Sequence, residues 1–220
     1  MLTEDYLLKL LRPLAYVIPR LRALRYEAHH DEALTLIQKT EQQLTGLDPE
    51  LINALSAQSL TELLAADSQA GAAQCIGLAS LFLEQGKIYE AQSKWTEADT
   101  TFINALYLYL RVLPISNRNI VDEHLANVDD LVFKLKGFTL PSVMYSNLFH
   151  FYSSVGAYAH AEDILFQLVD LMEQTGSAKT IITDGIAFYQ MLKDKSDADL
   201  IAGDLPRDEV ERGLQDLLAL

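Results

Sequence analysis

The segment Leu83–Leu106 (LEQGKIYEAQSKWTEADTTFINAL) constrains the fold of this 220-residue chain more than any other stretch. It combines aromatic residues with three small residues at helical spacings, Gly86, Ala98 and Ala105. Small residues let two helices approach closely, and aromatic side chains fill the space between neighbouring helices. The segment therefore predicts two antiparallel helices, joined near Ser93, that pack tightly together and stack against further helix pairs.

The same positions match the tetratricopeptide repeat (TPR), a helical hairpin of about 34 residues. The matching residues are Gly86, Tyr89, Ala98, Phe102 and Ala105. Ser93 stands at the turn, where many of these repeats carry glycine. The alternative interpretation of the segment is an ordinary amphipathic helical hairpin.

Two weaker copies of this pattern occur elsewhere, at Tyr145–Val169 and Leu21–Thr40. One alanine of each copy aligns, and the spacings between them are 65 and 63 residues; these are Ala33, Ala98 and Ala161. Each step corresponds to two repeats of about 34 residues. Phe149 occupies the glycine position of the second copy, so the packing there must differ.

The pattern predicts an all-α protein, a TPR-like antiparallel helical-hairpin solenoid of the α–α superhelix type. Half of the residues are hydrophobic, and alternating runs typical of strands are nearly absent. We expect residues 1–220 to form a single solenoid. A subdivision into 1–115 and 116–220 is the alternative, because Pro114 and the segment Ser116–Asn119 interrupt the helical pattern.

Local signals predict where several helices begin. Asp48 and Ser196 are predicted N-caps, because their side chains can accept hydrogen bonds from backbone N–H groups of the first helical turn. Ser59 and Glu62 have the spacing of a capping box. Pro19 is expected to open a helix, since proline is favoured in the first turn.

Composition and charge narrow the function. The formal net charge of −14 disfavours binding to nucleic-acid backbones. Cys75 is the only cysteine, lies in an apolar helical run and is predicted to be buried. A chain without an intrachain disulfide and without a membrane-length apolar run is expected in the cytoplasm.

The sequence contains no pattern typical of catalysis, metal binding or cofactor binding. It lacks the H-E-x-x-H, phosphate-loop, dinucleotide and G-x-S-x-G motifs. His150 and His160 are expected on opposite helices of one hairpin, but no second cysteine completes a zinc ligand set. We therefore predict a protein that is not an enzyme and has no catalytic residue, metal or cofactor.

The function that the pattern favours is a protein–protein interaction scaffold. In TPR arrays the first helix of each pair lines a concave groove that holds a peptide or protein partner. The aligned first helices place eight polar residues in this predicted groove: Arg22, Arg25, Ser80, Lys87, Glu90, Asn147, His150 and Ser153. Arg22 and Arg25 are expected to hold a carboxylate or an acidic peptide. The alternative is that these residues form an ordinary solvated face.

A second function remains open, in membrane-surface binding or oligomer assembly. Residues 6–25 are basic and apolar, as interfacial helices are, although two prolines interrupt the segment and make a membrane role the less favoured one. The apolar segment Leu106–Leu110 is expected to be a buried junction between the two halves or the seam of a homodimer.

Four segments also resemble a group of uncharacterised bacterial proteins with TPR-like helices and no assigned activity. They are Thr45–Leu51, Leu83–Leu106, Tyr158–Phe166 and Asp204–Leu214. The resemblance covers most of the chain and implies a helical scaffold. It carries over no catalytic or binding residue.

Overall fold

A computed structural model of the chain describes residues 11–173 and 178–219. Within these ranges every regular element is a helix and no strand occurs, which confirms the all-α prediction. The helices are α1 (Leu14–Tyr26), α2 (His30–Thr45), α3 (Pro49–Ala54), α4 (Ala57–Leu63), α5 (Gln69–Ala91), α6 (Trp95–Val112), α7 (Arg118–Lys134), α8 (Ser142–Val155), α9 (Tyr158–Glu173), α10 (Ala178–Lys193), α11 (Asp197–Ala202) and α12 (Arg207–Leu218). A 3-10 helix, Leu113–Ile115, follows α6.

The chain divides into two compact units, Met1–Phe138 and Thr139–Leu220. The boundary lies after Phe138, not at the 115/116 position that the sequence suggested. The physical reason is that α7 packs against both α5 and α6, so it belongs to the first unit. The single solenoid over residues 1–220 stays a prediction.

The first unit is organised around α5, which packs against α1, α2, α4, α6 and α7. Its residues are buried on every side from Cys75 to Gly86, because the stretch is apolar or small up to Leu83 and the side chains of Glu84 and Gln85 are buried as well. Cys75 is fully buried, as predicted. Burial raises the pKa of its thiol to about 12, so the thiol stays protonated at neutral pH.

The α5–α6 hairpin contains the close contact that the sequence predicted. Ala98, Phe102 and Ala105 of α6 are at most 1% exposed. A Cβ atom on Gly86 would lie 2.3 Å from a ring atom of Phe102, so glycine alone leaves room for the ring. The small and aromatic residues therefore pack as the pattern requires.

The apolar end of α6 is covered inside the first unit. Leu106, Leu108 and Tyr109 are fully buried, whereas Tyr107 is partly exposed. The helix packs against α4, α5 and α7 of the same unit. These contacts within the first unit account for the burial of Leu106, Leu108 and Tyr109. A homodimer stays a prediction.

The second unit consists of the α8–α9 hairpin, which α10 and α12 extend by packing on α9 and on α10 respectively. Ala161 is fully buried, like its counterparts Ala33 and Ala98. Phe149 is 2% exposed and makes an edge-on contact with Phe188 at a ring-centroid distance of 5.3 Å. An aromatic contact thus replaces the close approach that glycine allows in α5.

Two predicted helix starts are confirmed and two are wrong. Asp48 and Ser196 cap α3 and α11 by accepting hydrogen bonds from the backbone. At α4, however, the N-cap is Ser56, which accepts from the N–H of Ser59, so the capping box was placed three residues too late. Pro19 lies inside α1 instead of opening a helix.

Pro19 destabilises the interior of α1, but the packing of the buried leucines of this helix outweighs that free-energy cost. A proline in a helix interior lacks the N–H of one hydrogen bond and costs about 3 kcal/mol. Leu14, Leu21 and Leu24 of α1 are buried, and the helix packs against α2 and α5. Burying each leucine contributes about 1.5–3 kcal/mol, which favours one helix running through the proline.

Ser93 provides a test of the α5–α6 turn. It has a left-handed φ of 58°, a conformation that glycine adopts without strain. Because its side chain is exposed, we expect Ser93→Gly to raise the free energy of unfolding by about 0.5–1 kcal/mol. Ser93→Val should lower it, and urea denaturation of both variants measures the effect. An unfolding midpoint that falls for Ser93→Gly would contradict this account.

Glu41 is the least compensated carboxylate among the described residues. It lies on α2, is fully buried, and neither carboxylate oxygen has a hydrogen-bond partner there. Burial raises its pKa from 4.5 to about 7. The folded state therefore holds a proton between these pH values that the unfolded state releases, and stability falls as pH rises through this range.

We expect Glu41→Gln to remove this pH dependence. At about pH 8 the variant should be more stable than the natural chain by on the order of 2–3 kcal/mol, because no charge is buried. Near pH 4.5 the two should differ little, since Glu41 is then protonated. Urea denaturation at both pH values measures the difference; an equal difference at both would exclude Glu41 as its source.

Candidate functional site

A groove of about 940 Å³ opens in the first unit between α1, α5 and α7. Its floor is α5, through Ser80, Leu83 and Glu84. Helices α1 and α7 both pack against α5 and form the two walls. The volume is within the range typical of ligand-binding clefts, roughly 300–1,000 Å³.

Each helix contributes one stripe of residues to the groove, at spacings of three and four. On α5 this stripe continues from Ser80 and Glu84 to Lys87 and Glu90. Residues three or four apart lie on the same face of a helix, so the groove follows from helical periodicity. The predicted groove residues of the first unit all lie on such stripes, since Arg22 and Arg25 continue the stripe of α1.

The two walls differ in chemistry. The α1 wall is mainly apolar, with Leu14, Ala15, Ile18 and Pro19 between the side chains of Arg12 and Arg22. The α7 wall is mainly polar; its residues are Asn117, Asn119, Ile120, Glu123, His124 and Asn127. An occupant of the groove therefore meets apolar surface on one side and hydrogen-bonding groups on the other.

Glu84 connects the floor to the α1 wall. Its side chain is 2% exposed, and its carboxylate accepts a hydrogen bond from Arg22 Nε at 3.0 Å. Arg25 Nη1 and Lys87 Nζ lie 3.5 and 3.8 Å from the same carboxylate. Three cations thus compensate one buried anion, as a charge in this environment requires.

Two further ion pairs connect the floor to the α7 wall. Lys87 Nζ lies 2.7 Å from Asp130 Oδ2, and Lys134 Nζ lies 2.7 Å from Glu90 Oε2. On each helix, these charged residues lie one or two turns beyond the last residue that lines the groove, Glu84 on α5 and Asn127 on α7. Lys87 and Glu90 therefore join α5 to α7 where the groove ends, while Arg22 and Ser80 line it.

A hydrogen-bond network lies beneath the α7 wall. Ser80 Oγ is 2.7 Å from the hydroxyl oxygen of Tyr109. The same hydroxyl oxygen accepts a hydrogen bond from Asn127 Nδ2 at 3.0 Å. Asn127 Nδ2 lies 3.3 Å from Nδ1 of His124. Burial raises the pKa of Tyr109 to about 12 and lowers the pKa of His124, which favours a neutral imidazole.

The sequence did not single out His124 or Asn127. Both lie on the face of α7 that turns towards α5 and α6, and no short motif marks that face. The spacing of Ile120, Glu123, His124 and Asn127 would have identified one helix face. It would not have identified the buried tyrosine that the face contacts.

The remaining predicted site residues, Asn147, His150 and Ser153, lie on α8 of the second unit. His150 is exposed, and Asn147 and Ser153 are partly exposed. Their membership of one groove with the residues of the first unit stays a prediction. His160 stacks on Tyr152 at a ring-centroid distance of 5.1 Å.

No group of three or more His, Cys, Asp or Glu side chains within residues 11–173 and 178–219 is arranged to hold a metal ion. No helix in the same ranges combines the length and apolar character needed to cross a bilayer.

The contacts of Glu84 predict the effect of removing its arginines. The double variant Arg22→Ala/Arg25→Ala should lower the free energy of unfolding by on the order of 2 kcal/mol, because the buried carboxylate loses two cations. Solvent screening of the half-exposed Arg22 keeps the loss below that of a fully buried pair. Adding Glu84→Gln should restore most of the stability, as urea denaturation can measure. Failure of Glu84→Gln to restore it would show that the arginines act through other contacts.

Neither the curated proteins nor the solved structures contain a match to this chain. A family model matches residues 1–220, and its family has no assigned function, in agreement with the predicted resemblance to uncharacterised proteins. The chain belongs to this family of unknown function, DUF6483.

Proposed function

We propose that the chain is a non-enzymatic interaction scaffold whose α1–α5–α7 groove binds a segment of a protein partner. The observation that carries this proposal is the combination of an apolar wall and a polar wall in one groove of about 940 Å³. In a TPR-like solenoid the first helices of successive pairs line the groove. Helices α1 and α5, the first helices of the pairs α1–α2 and α5–α6, both line this groove, and the short helices α3 and α4 lie between the two pairs in the chain.

The occupant that we propose is a peptide segment with apolar side chains and at least one carboxylate. Apolar side chains would pack on Ala15, Ile18 and Pro19 of the α1 wall. A carboxylate would meet the cations of α1, since Arg12 and Arg22 both line the groove. Residues 9–25 contain no Asp or Glu, whereas the whole chain carries a net charge of −14.

Arg22 has the capacity to bind a second carboxylate. It contacts Glu84 through Nε, and its side chain is 56% exposed. A guanidinium group has five N–H donors, so the Nη atoms can donate to a partner while Nε stays paired with Glu84. The ion pair with Glu84 thereby holds Arg22 on the groove wall and leaves its Nη donors available to a partner.

The alternative role at a membrane surface has less support. The described part of residues 6–25 buries Leu14, Leu21 and Leu24 within the first unit. These apolar side chains are the ones that a lipid surface would need. A cytoplasmic location is part of the proposal, because a single buried cysteine suits a reducing compartment.

A matched pair of tryptophan variants tests the groove. Ala15 is exposed and lines the groove, whereas the neighbouring Tyr16 is 74% exposed and does not line it. We expect peptides selected from a random display library against the full chain to lose at least about tenfold in affinity with Ala15→Trp, because the indole fills the groove. Tyr16→Trp should leave affinity within about twofold.

Fluorescence anisotropy of labelled peptides measures both affinities, and circular dichroism checks that each variant stays folded. A library that yields no binding peptide would contradict the proposal. So would peptides that bind both tryptophan variants as tightly as the natural chain.

A further inference from the structure

In the network beneath the α7 wall, only one assignment of donors and acceptors allows all the hydrogen bonds to form together. Ser80 Oγ donates its single hydrogen to the carbonyl oxygen of Ile76 at 3.0 Å. The 2.7 Å contact between Ser80 and Tyr109 is then donated by the tyrosine hydroxyl. That hydroxyl, having used its hydrogen, accepts from the amide nitrogen of Asn127.

The same amide nitrogen fixes the tautomer of His124. A side-chain amide nitrogen donates and does not accept, so Nδ1 of His124 must be the acceptor of the 3.3 Å contact. A neutral imidazole that accepts at Nδ1 carries its proton on Nε2. The chain Ile76–Ser80–Tyr109–Asn127 thus determines which ring nitrogen of His124 can donate.

The Nε2–H group is available to an occupant of the groove. His124 lines the groove, and none of its hydrogen bonds to described residues uses Nε2. The ring is held in place from behind, since it contacts Tyr109 at a ring-centroid distance of 5.5 Å. A donor that is oriented before binding loses little conformational entropy when it forms a hydrogen bond.

We propose that His124 is the hydrogen-bond donor that reads a neutral carbonyl oxygen of the bound segment, with Asn127 as the residue that positions it. A carbonyl is favoured over a carboxylate at this position because Glu123, the preceding residue, also lines the groove and would repel a second anion. The inference rests on the proposed function. Together the two proposals orient the bound segment across the groove, with a carboxylate at the α1 wall and a neutral carbonyl at the α7 wall.

The tautomer can be measured without any ligand. Long-range ¹H–¹⁵N correlation spectra of the uniformly labelled full chain distinguish the two tautomers, and His124→Gln assigns the signals. At about pH 7.5 we expect the Nε2–H form. Asn127→Asp should shift the ring to the Nδ1–H or protonated form, because a carboxylate accepts where the amide donates. An Nδ1–H or protonated ring in the natural chain would overturn the proposal.

Binding of the library-selected peptides supplies the second test. We expect His124→Leu to weaken binding at least about tenfold, because it removes the donor. His124→Gln should recover most of the affinity, since its amide nitrogen reaches the place of Nε2. The matched control is Asp122→Asn, which changes an exposed residue of α7 that does not line the groove and should not weaken binding.

The outcomes separate the two proposals. Peptides that Ala15→Trp blocks but that bind His124→Leu normally would overturn the role of His124 and leave the groove intact. If no peptide binds the natural chain, the groove function fails and the role of His124 fails with it. If His124→Leu does not fold, equal affinity of the His124→Gln variant and a His124→Asn variant, whose amide is too short to reach, would overturn the role.

Discussion

The first unit depends on the burial of one helix. Helix α5 is apolar or small around its whole circumference over most of its length, so helices must cover it on every side. Helices α1, α2, α4, α6 and α7 all pack against it. The glycine at position 86 lets the Phe102 ring of α6 approach closely, and this contact fixes the α5–α6 hairpin on which the other helices pack.

The groove is a consequence of how α5 is covered. Helices α1 and α7 each contact α5, and the buried residues Ser80, Leu83 and Glu84 form the floor of the groove between them. One turn further along, Lys87 joins α5 to α7 through Asp130. The groove therefore ends where charges on α5 and α7 pair directly.

The parts that the sequence predicted are those with local causes. The Asp48 and Ser196 caps and the tight packing of the α5–α6 hairpin depend on residues that are close in sequence or fixed by a hairpin. Pro19 was misplaced because the packing of distant helices outweighs a local preference of about 3 kcal/mol. Ser56 was missed because two serines three residues apart both have the side chain of an N-cap. The pairing of Glu84 with Arg22 spans 62 residues, and no local pattern encodes it.

Arg22, which the sequence predicts to bind a partner, is paired within the protein with the buried carboxylate of Glu84. Two apolar residues in place of a buried ion pair often stabilise a protein as well or better, so the pair is weak evidence for a purely stabilising role. What the carboxylate does provide is position, because it holds Arg22 by Nε while more than half of the side chain stays exposed. An apolar residue at position 84 would leave that arginine free to adopt many rotamers, and ordering it on binding would cost about 0.5–1.5 kcal/mol. In the proposed function, the buried carboxylate and the hydrogen-bond network of His124 thus act in the same way, since each orients one donor on a groove wall before a partner binds.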